Sequence, residues 1–234
     1  MMLLRQKSIR NCLAIFRKQK MEILRSKKNL LLFFVFPVAL MVMCTLDDNA
    51  VESLLLFTIM GDIMPPMISI ASQVAEEREK GIIRGLIYIG VNSFEYLAGM
   101  MMCTAMFSFI CSCLMCSVIE NKLDIAISLE IMLIHLVAIM CSMVIGAIIG
   151  VLAKNQVAVS AMVVPISICI LFLSMLGVSK EKVHIVSQYF YSQTTLDVMI
   201  KNSVDKKDIL IFLMNIFILT VMFVLFYKRR RNEE

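Results

Sequence analysis

Long apolar segments separated by short charged ones constrain this chain most. Six such segments run over residues 29–46, 52–74, 97–119, 127–152, 157–178 and 208–227. A helix needs about 20 apolar residues to cross the ~30 Å hydrocarbon core of a bilayer. With 60% hydrophobic residues, the chain carries too much apolar surface for a soluble domain of its size. The sequence therefore predicts an all-α polytopic membrane protein with six transmembrane helices.

Basic residues are concentrated at the two ends of the chain. Nine of the 23 Lys and Arg precede residue 29, and four more occupy Lys228–Arg231. Such residues flank membrane spans on the cytoplasmic side, which explains the basic runs without nucleic-acid binding. We predict that both termini are cytoplasmic and that 17 of the 23 basic residues face the cytoplasm. Residues 179–207 then form an external loop, where we expect short helices resting on the outer surface.

The residues before the first span are predicted to form an amphipathic helix. Ile9, Cys12, Leu13 and Phe16 recur at helical spacing among basic residues. This pattern is typical of a helix that lies in the membrane interface, and a solvated basic tail is the alternative. The predicted organisation is a basic interfacial segment, a six-helix membrane domain and a cytoplasmic tail, over residues 1–28, 29–228 and 229–234.

The charged segment between the second and third spans carries the strongest functional signal. It reads AEEREKGIIRGLI from Ala75 and is followed by SFEYLAG from Ser93. Glu76 and Lys80 are four residues apart, which supports a short helix. An acidic amphipathic helix on the cytoplasmic side can dock into a groove of a partner protein. It can equally be an exposed helix end shaped by the interface alone, and the residue chemistry leaves both interpretations open.

The segment from Ala75 to Gly99 resembles the cytoplasmic coupling helix of the permease subunits of ABC-2 type ABC transporters. The basic N-terminal helix, the six spans and the long last external loop also resemble that family. The resemblance implies that the chain is a permease without enzymatic activity, and that a separate ABC subunit binds ATP and Mg. The residues it assigns to contact with that subunit are Glu76, Glu77, Arg78, Glu79, Gly81 and Arg84.

The resemblance also implies an assembly and a role. The 234 residues contain no G-x-x-x-x-G-K-[ST] sequence, which is the loop that cradles ATP phosphates, so no cofactor is expected on this chain. Six spans would be half of a membrane pathway, which a second permease copy or a related permease completes as a dimer. The implied role is export across a bacterial cytoplasmic membrane of an amphipathic drug, an antimicrobial peptide or a lipid-like substrate.

Two ionisable residues, Asp62 and His135, lie deep in the predicted spans. Such groups are costly in hydrocarbon and usually face a bundle interior or water. Asp62 lies beside Pro65 and Pro66, which kink a helix. One hypothesis is that Asp62, Pro65 and Pro66 line the transport pathway or the dimer interface. The alternative is that Asp62 forms an internal hydrogen bond, to Asn215 or to a carbonyl freed by proline.

Two other functions are compatible with parts of this pattern. A membrane docking protein that transports nothing would have the same topology. An intramembrane protease is suggested by Glu76-Glu77, which resembles the paired glutamates of CAAX-type proteases, but neither histidine has Asn or Asp four residues later. The sequence CSCLMC from Cys111 superficially resembles a metal cluster. Its three cysteines do not share one helix face, so we expect packing residues and no metal site.

Overall fold

Helices make up nearly all of the described chain. This computed structural model describes residues 2–25, 27–46, 51–82, 85, 88, 90–91, 93–123 and 127–233. Within them the helices are α1 (Met2–Arg25), α2 (Lys27–Leu46), α3 (Val51–Glu79), α4 (Ser93–Leu123), α5 (Leu129–Leu152), α6 (Gln156–Ser179), α7 (Glu181–Ser187), α8 (Tyr191–Lys201) and α9 (Lys206–Glu233). These residues include no strand, and the predicted all-α class is confirmed.

Among the residues that the structure describes, five helices are long and apolar enough to cross a membrane. The qualifying segments are Ser53–Glu79, Glu95–Lys122, Leu129–Leu152, Gln156–Gly177 and Lys206–Tyr227. A sixth crossing exists if Asn11–Arg25 and Leu30–Leu46, which are bent by 62° relative to each other, count as one span. The polytopic architecture is therefore confirmed, with the predicted first span lying in the second member of this bent pair.

Local hydrogen bonds explain where several helices begin and end. The side chain of Asn155 accepts a hydrogen bond from the Ala158 amide at 2.8 Å and caps the start of α6. Asn202 ends α8 in the left-handed conformation, at φ 51°, a conformation that asparagine tolerates better than most residues. Polar residues therefore interrupt the apolar sequence at the helix ends, where free backbone groups need partners.

Helix α3 lies at the centre of the bundle and packs against α2, α4, α5, α6 and α8. Its contact with α5 is the closest, because α5 places glycines against it. A Cβ atom at Gly146 would lie 2.4 Å from the carbonyl oxygen of Met67, and one at Gly150 would lie 2.8 Å from that of Ala71. Small residues let membrane helices approach each other in this way, so α3 and α5 form the core pair.

The segment after α6 differs from its predicted position. Helix α7 exposes Ile185 and Val186, as an interfacial helix would. Helix α8 is instead buried among α3, α5, α6 and α9. The expectation that this segment rests on the outer surface is wrong for α8, because its polar side chains find internal partners. Ser192, for example, accepts a hydrogen bond from Ser174 at 2.8 Å.

The Gly146 contact generates a stability prediction. We expect Gly146→Ala to lower the free energy of unfolding by about 1–3 kcal/mol, the usual range for an overpacked site, because the added methyl meets the Met67 carbonyl. Gly85→Ala is the matched control, since a Cβ there has no neighbour within 4 Å. Thermal unfolding in detergent checks both variants, and equal melting temperatures would contradict the close packing.

Candidate functional site

Glu77 lies inside the protein although it belongs to the charged segment. Only 4% of the residue is exposed. Tyr96 of α4 donates its hydroxyl to Glu77 Oε2 at 2.6 Å, and the Lys18 ammonium of α1 pairs with Glu77 Oε1. A buried carboxylate is tolerated when it is paired and hydrogen-bonded in this way. Glu77 therefore joins three helices and presents little of its charge at the surface.

Other polar contacts fasten α1 to the same end of the bundle. Gln19 is fully buried and donates a hydrogen bond to Gln73 of α3. Asn11 donates to Glu95 Oε2 of α4 at 3.2 Å. On the opposite side of α1, Leu13 and other apolar side chains are exposed. Helix α1 thus has one face attached to α3 and α4 and another face left free for the membrane interface.

Arg78 connects α3 to the end of α5. Its guanidinium donates hydrogen bonds to the carbonyl oxygens of Val151 and Ala153, at 2.8 Å and 2.7 Å. The last carbonyls of a helix have no partner within the helix and carry partial negative charge. Arg78 satisfies two carbonyls at the end of α5 and thereby holds the ends of α3 and α5 together.

The remaining described residues of the charged segment lie at the surface. Glu76 pairs with Lys80, and this hydrogen bond raises the pKa of Lys80. Glu79 is exposed, with Oε2 accepting a 3.4 Å hydrogen bond from the Gln156 amide. Gly81 is also exposed and has φ +70°, a conformation that glycine adopts without strain. It changes the chain direction directly after α3.

Arg84, which the sequence assigns to the same contact, lies outside the described residues. The segment that follows Gly81 is helical at residues 82, 85 and 88. The six predicted contact residues therefore fall into different settings. Glu77 and Arg78 hold the helices together, whereas Glu76, Glu79 and Gly81 form an exposed corner at the end of α3.

Asp62 and His135 form a buried pair between α3 and α5. Each is 1% exposed, and His135 Nδ1 contacts Asp62 Oδ2. An internal partner for Asp62 is thus present, and it is His135. Asn215 instead donates to the carbonyls of Tyr189 and Ile211. Pro65 and Pro66 are buried in α3 as well, and the placement of these residues on a pathway or dimer interface stays a prediction.

An apolar cavity of about 270 Å³ lies on the side of α3 that faces α2 and α6. Its walls come from α2, α3 and α6, and nearly all of the lining side chains are apolar. Met43, Met60 and Met175 contribute flexible thioethers, and Phe57 and Phe172 contribute rings. Methionine side chains adapt to irregular shapes, so this cavity suits apolar groups of varied outline.

The sequence from the first span through the last matches a known family. The model described as ABC-2 family transporter protein covers residues 30–227. The chain belongs to the ABC-2 family of transporter proteins. It is a multi-pass membrane protein and the permease of an ABC transporter, a transmembrane component that is not itself the catalytic one. The family implies association with an ATP-binding ABC subunit. Among curated proteins no match is found.

Sequence reasoning missed several residues that organise this permease. Lys18 and Tyr96 hold Glu77 of the charged segment from neighbouring helices, and Gln19 bonds to Gln73 one turn before it, yet each looks like an ordinary interfacial residue. Because these contacts join residues 19 to 59 positions apart, no local spacing pattern shows them. The one usable signal was a Gln or Tyr beside a helix end in an otherwise apolar chain.

The three cysteines of the CSCLMC sequence lie on α4 of the permease. Cys111 and Cys116 are buried, and the Cys116 thiol lies beside the His135 ring. Within the described residues no group of three or more His, Cys, Asp or Glu is arranged to hold a metal ion. The paired glutamates also separate, because Glu77 meets Lys18 and Tyr96 while Glu76 meets Lys80.

The contacts of Glu77 generate a prediction about α1. We expect Tyr96→Phe to lower the free energy of unfolding by about 1–3 kcal/mol, because it leaves a buried carboxylate oxygen without its donor. Tyr88→Phe is the control, since Tyr88 is 91% exposed. Thermal unfolding checks the stability, and trypsin cleavage within α1 reports whether that helix loosens. A Tyr96→Phe variant indistinguishable from Tyr88→Phe would refute the assigned role.

Proposed function

We propose that this permease is the membrane subunit of an ATP-driven exporter and that the exposed corner at the end of α3 contacts its ATP-binding subunit. This corner comprises Glu76, Glu79 and Gly81, and we extend it to Arg84. One observation carries the proposal. Arg78 ties the end of α3 to α5, while Glu77 ties it to α1 and α4. A force applied at the exposed corner therefore reaches three other helices directly.

The coupling would follow from ordinary linkage between binding and conformation. ATP binding to the partner favours one arrangement of the permease only as far as the partner binds the two arrangements with different affinity. A rigid corner is suited to this task, because packed helices move as bodies rather than deforming continuously. Gly81, with φ +70°, turns the chain directly after α3, so the exposed glutamates lie where the helix ends.

The apolar cavity supports our proposal for the substrate, and the exposed helix faces support our proposal for the assembly. The apolar cavity between α2, α3 and α6 supports an amphipathic drug, an antimicrobial peptide or a lipid-like molecule as substrate. Only 22% of the apolar window of α6 and 17% of that of α9 are buried within this chain. These faces are available to lipid and to a second permease. We place the assembly in a bacterial cytoplasmic membrane with both termini cytoplasmic.

The coupling corner is tested by affinity purification from a gentle detergent, followed by mass spectrometry. We expect a P-loop ATPase to co-purify with the wild-type permease and to be lost from the Glu76→Lys/Glu79→Lys double variant, because its surface charge is reversed. Glu130→Lys is the control, since Glu130 is an exposed carboxylate at the opposite end of α5. Equal ATPase recovery from the double variant would place the contact elsewhere.

If no ATPase co-purifies with folded wild-type protein, the transporter assignment fails in this form and a docking protein becomes the better explanation. Glu77→Lys is a poor variant for this experiment. It would leave Lys18 facing a second cation inside the protein, so loss of the ATPase would report loss of folding.

Export itself is tested in cells that lack the gene. We expect the deletion to increase sensitivity to amphipathic antimicrobial compounds, measured as the growth-inhibiting concentration. The wild-type gene and the Glu130→Lys gene should restore growth, and the Glu76→Lys/Glu79→Lys gene should not, at matched membrane abundance. Restoration by the double variant would show that resistance does not depend on the proposed corner.

A further inference from the structure

Several buried polar atoms in the described part of the bundle make no hydrogen bond within the protein. Seven buried side-chain nitrogen or oxygen atoms there have no hydrogen-bond partner in the protein. One is Gln193 Oε1 of α8. The other six are Gln19 Oε1, Thr104 Oγ1, Ser108 Oγ, Ser112 Oγ, Asp62 Oδ1 and His135 Nε2. These six belong to Gln19 of α1, to three hydroxyls of α4 and to the Asp62–His135 pair of α3 and α5.

The three hydroxyls form a stripe along α4. Thr104, Ser108 and Ser112 are spaced by four residues and are at most 3% exposed. Side chains at this spacing lie above one another on a helix. The next position in the stripe is Cys116, whose thiol lies beside His135. At 1.5 Å per residue, the stripe from Thr104 to Cys116 extends about 18 Å, which is more than half of a ~30 Å hydrocarbon core.

Helix α3 carries polar side chains at the same depth in the bundle as the hydroxyls of α4. Ser69 and Gln73 lie 7 and 11 residues after Asp62, on the same side of α3 within about 20° at 100° per residue. Gln73 donates to Ser69 Oγ at 3.1 Å, and Gln19 donates to Gln73. Pro65 and Pro66 have no N–H, so they leave two α3 carbonyls without their usual helical donors.

Two contacts establish how α3 and α4 are aligned. Tyr96 bonds to Glu77 at the end that carries the exposed corner. Further along, a Cβ at Gly61 would lie 2.4 Å from the end of the Met115 side chain. The helices run antiparallel between these contacts. The α4 hydroxyls therefore lie at the levels of Asp62 to Gln73. We call the strip formed by Gln19, Gln73, Ser69, Thr104, Ser108 and Ser112 the polar seam.

Polar atoms without a hydrogen-bond partner in the interior of a membrane-spanning bundle carry a free-energy cost. A buried donor or acceptor without a partner costs about 1–3 kcal/mol, and hydrocarbon offers no replacement. Buried water commonly satisfies such groups by bonding to two to four of them. A stripe of hydroxyls spaced one turn apart provides successive binding points for water, at intervals of about 6 Å.

The pair at the inner end of the seam is suited to hold a proton. With His135 protonated and Asp62 ionised, the pair has no net charge. Removing one proton leaves a net negative charge in the bundle interior, which is costly. Nδ1 contacts Asp62, while Nε2 makes no hydrogen bond of normal geometry and the Cys116 thiol lies beside the ring, so Nε2 is the nitrogen that a water at the end of the seam would bond. The other titratable groups that interact electrostatically with the pair are Cys111, Cys113 and Cys116 of α4 and Tyr191 of α8. Tyr191 in turn interacts with Cys141 of α5.

We propose that the polar seam holds a file of water that leads from the Gln19–Gln73 end to the Asp62–His135 pair, and that the pair is a proton-binding site served by this file. In the exchange step, the Nε2–H bond of the imidazolium breaks and its proton passes to water, forming hydronium. Neutral His135 keeps its Nδ1–H on the Asp62 carboxylate. The reverse step restores the imidazolium. With the exposed corner on the cytoplasmic side, this proton would come from the cytoplasm.

The chain has two histidines, His135 and His184, so NMR of histidine labelled with ¹⁵N resolves the site. The full-length protein in lipid nanodiscs is used, and His184→Gln assigns the two signals. Magnetisation is transferred from water to the imidazole nitrogens. We expect His135 to receive transfer comparable with that of His184, although His135 is 1% exposed. Absence of transfer to His135 in folded protein would show a dry seam and overturn the proposal.

A matched pair of variants tests the route. We expect Thr104→Val/Ser108→Ala/Ser112→Ala to reduce the water transfer to His135 several-fold. Ser117→Ala is the control, because its hydroxyl is exposed on α4 and already donates to the Cys113 carbonyl. Unchanged transfer in the folded triple variant would overturn the assigned route.

Asp62→Asn provides a second measurement if the triple variant fails to fold. We expect the His135 signals to change from two protonated nitrogens in the wild type to one protonated and one bare nitrogen in Asp62→Asn. A bare nitrogen in the wild type at neutral pH would overturn the charged pair. These readouts need neither the ATPase nor a substrate, so they fail independently of the proposed export function.

Discussion

The packing of α3 against α5 is the contact on which the other features depend. Three kinds of interaction occur along it: Asp62 with His135, the Met67 carbonyl against Gly146, and Arg78 with the last carbonyls of α5. Asp62 and His135 are separated by 73 residues, and so are Arg78 and Val151. The two helices therefore run parallel in constant register. Within the membrane, where apolar burial does not favour one partner over lipid, such close approach and polar pairing hold helices together.

This register explains why some charged residues at the end of α3 have internal partners and others are exposed. Arg78 and Glu77 are adjacent in sequence and project to different sides of the end of α3. One reaches the end of α5 and the other reaches α1 and α4. The residues on the remaining side, Glu76 and Glu79, have only surface partners. A docked protein would thus push on a corner whose internal attachments are charged hydrogen bonds, which are stronger than neutral ones.

The same helices also carry the polar seam. Burying a single Ser or Thr in the seam costs little free energy, since each side chain is small enough to fit between packed helices. Several unpaired hydroxyls along one line together carry a large free-energy cost, because the interior has a low dielectric constant. A water file offsets that cost and gives the buried pair contact with one side of the membrane. The proposed coupling corner lies at the end of α3 and the proposed proton site near its middle, and both depend on the alignment of α3 with its neighbours.

Much of the architecture was determined by the sequence alone. The apolar segments, their length and the basic ends predict helices, spans and class, because the bilayer imposes the same length on every spanning helix. The family resemblance in the segment from Ala75 to Gly99 is confirmed as a family assignment, and the contact of this segment with an ATP-binding subunit stays a prediction. What only the tertiary structure decided is which charges are exposed: Glu76 and Glu77 are neighbours with the same side chain, and one is at the surface while the other is buried. That difference, the burial of α8 and the partner of Asp62 all depend on contacts between residues far apart in the chain, which local periodicity does not contain.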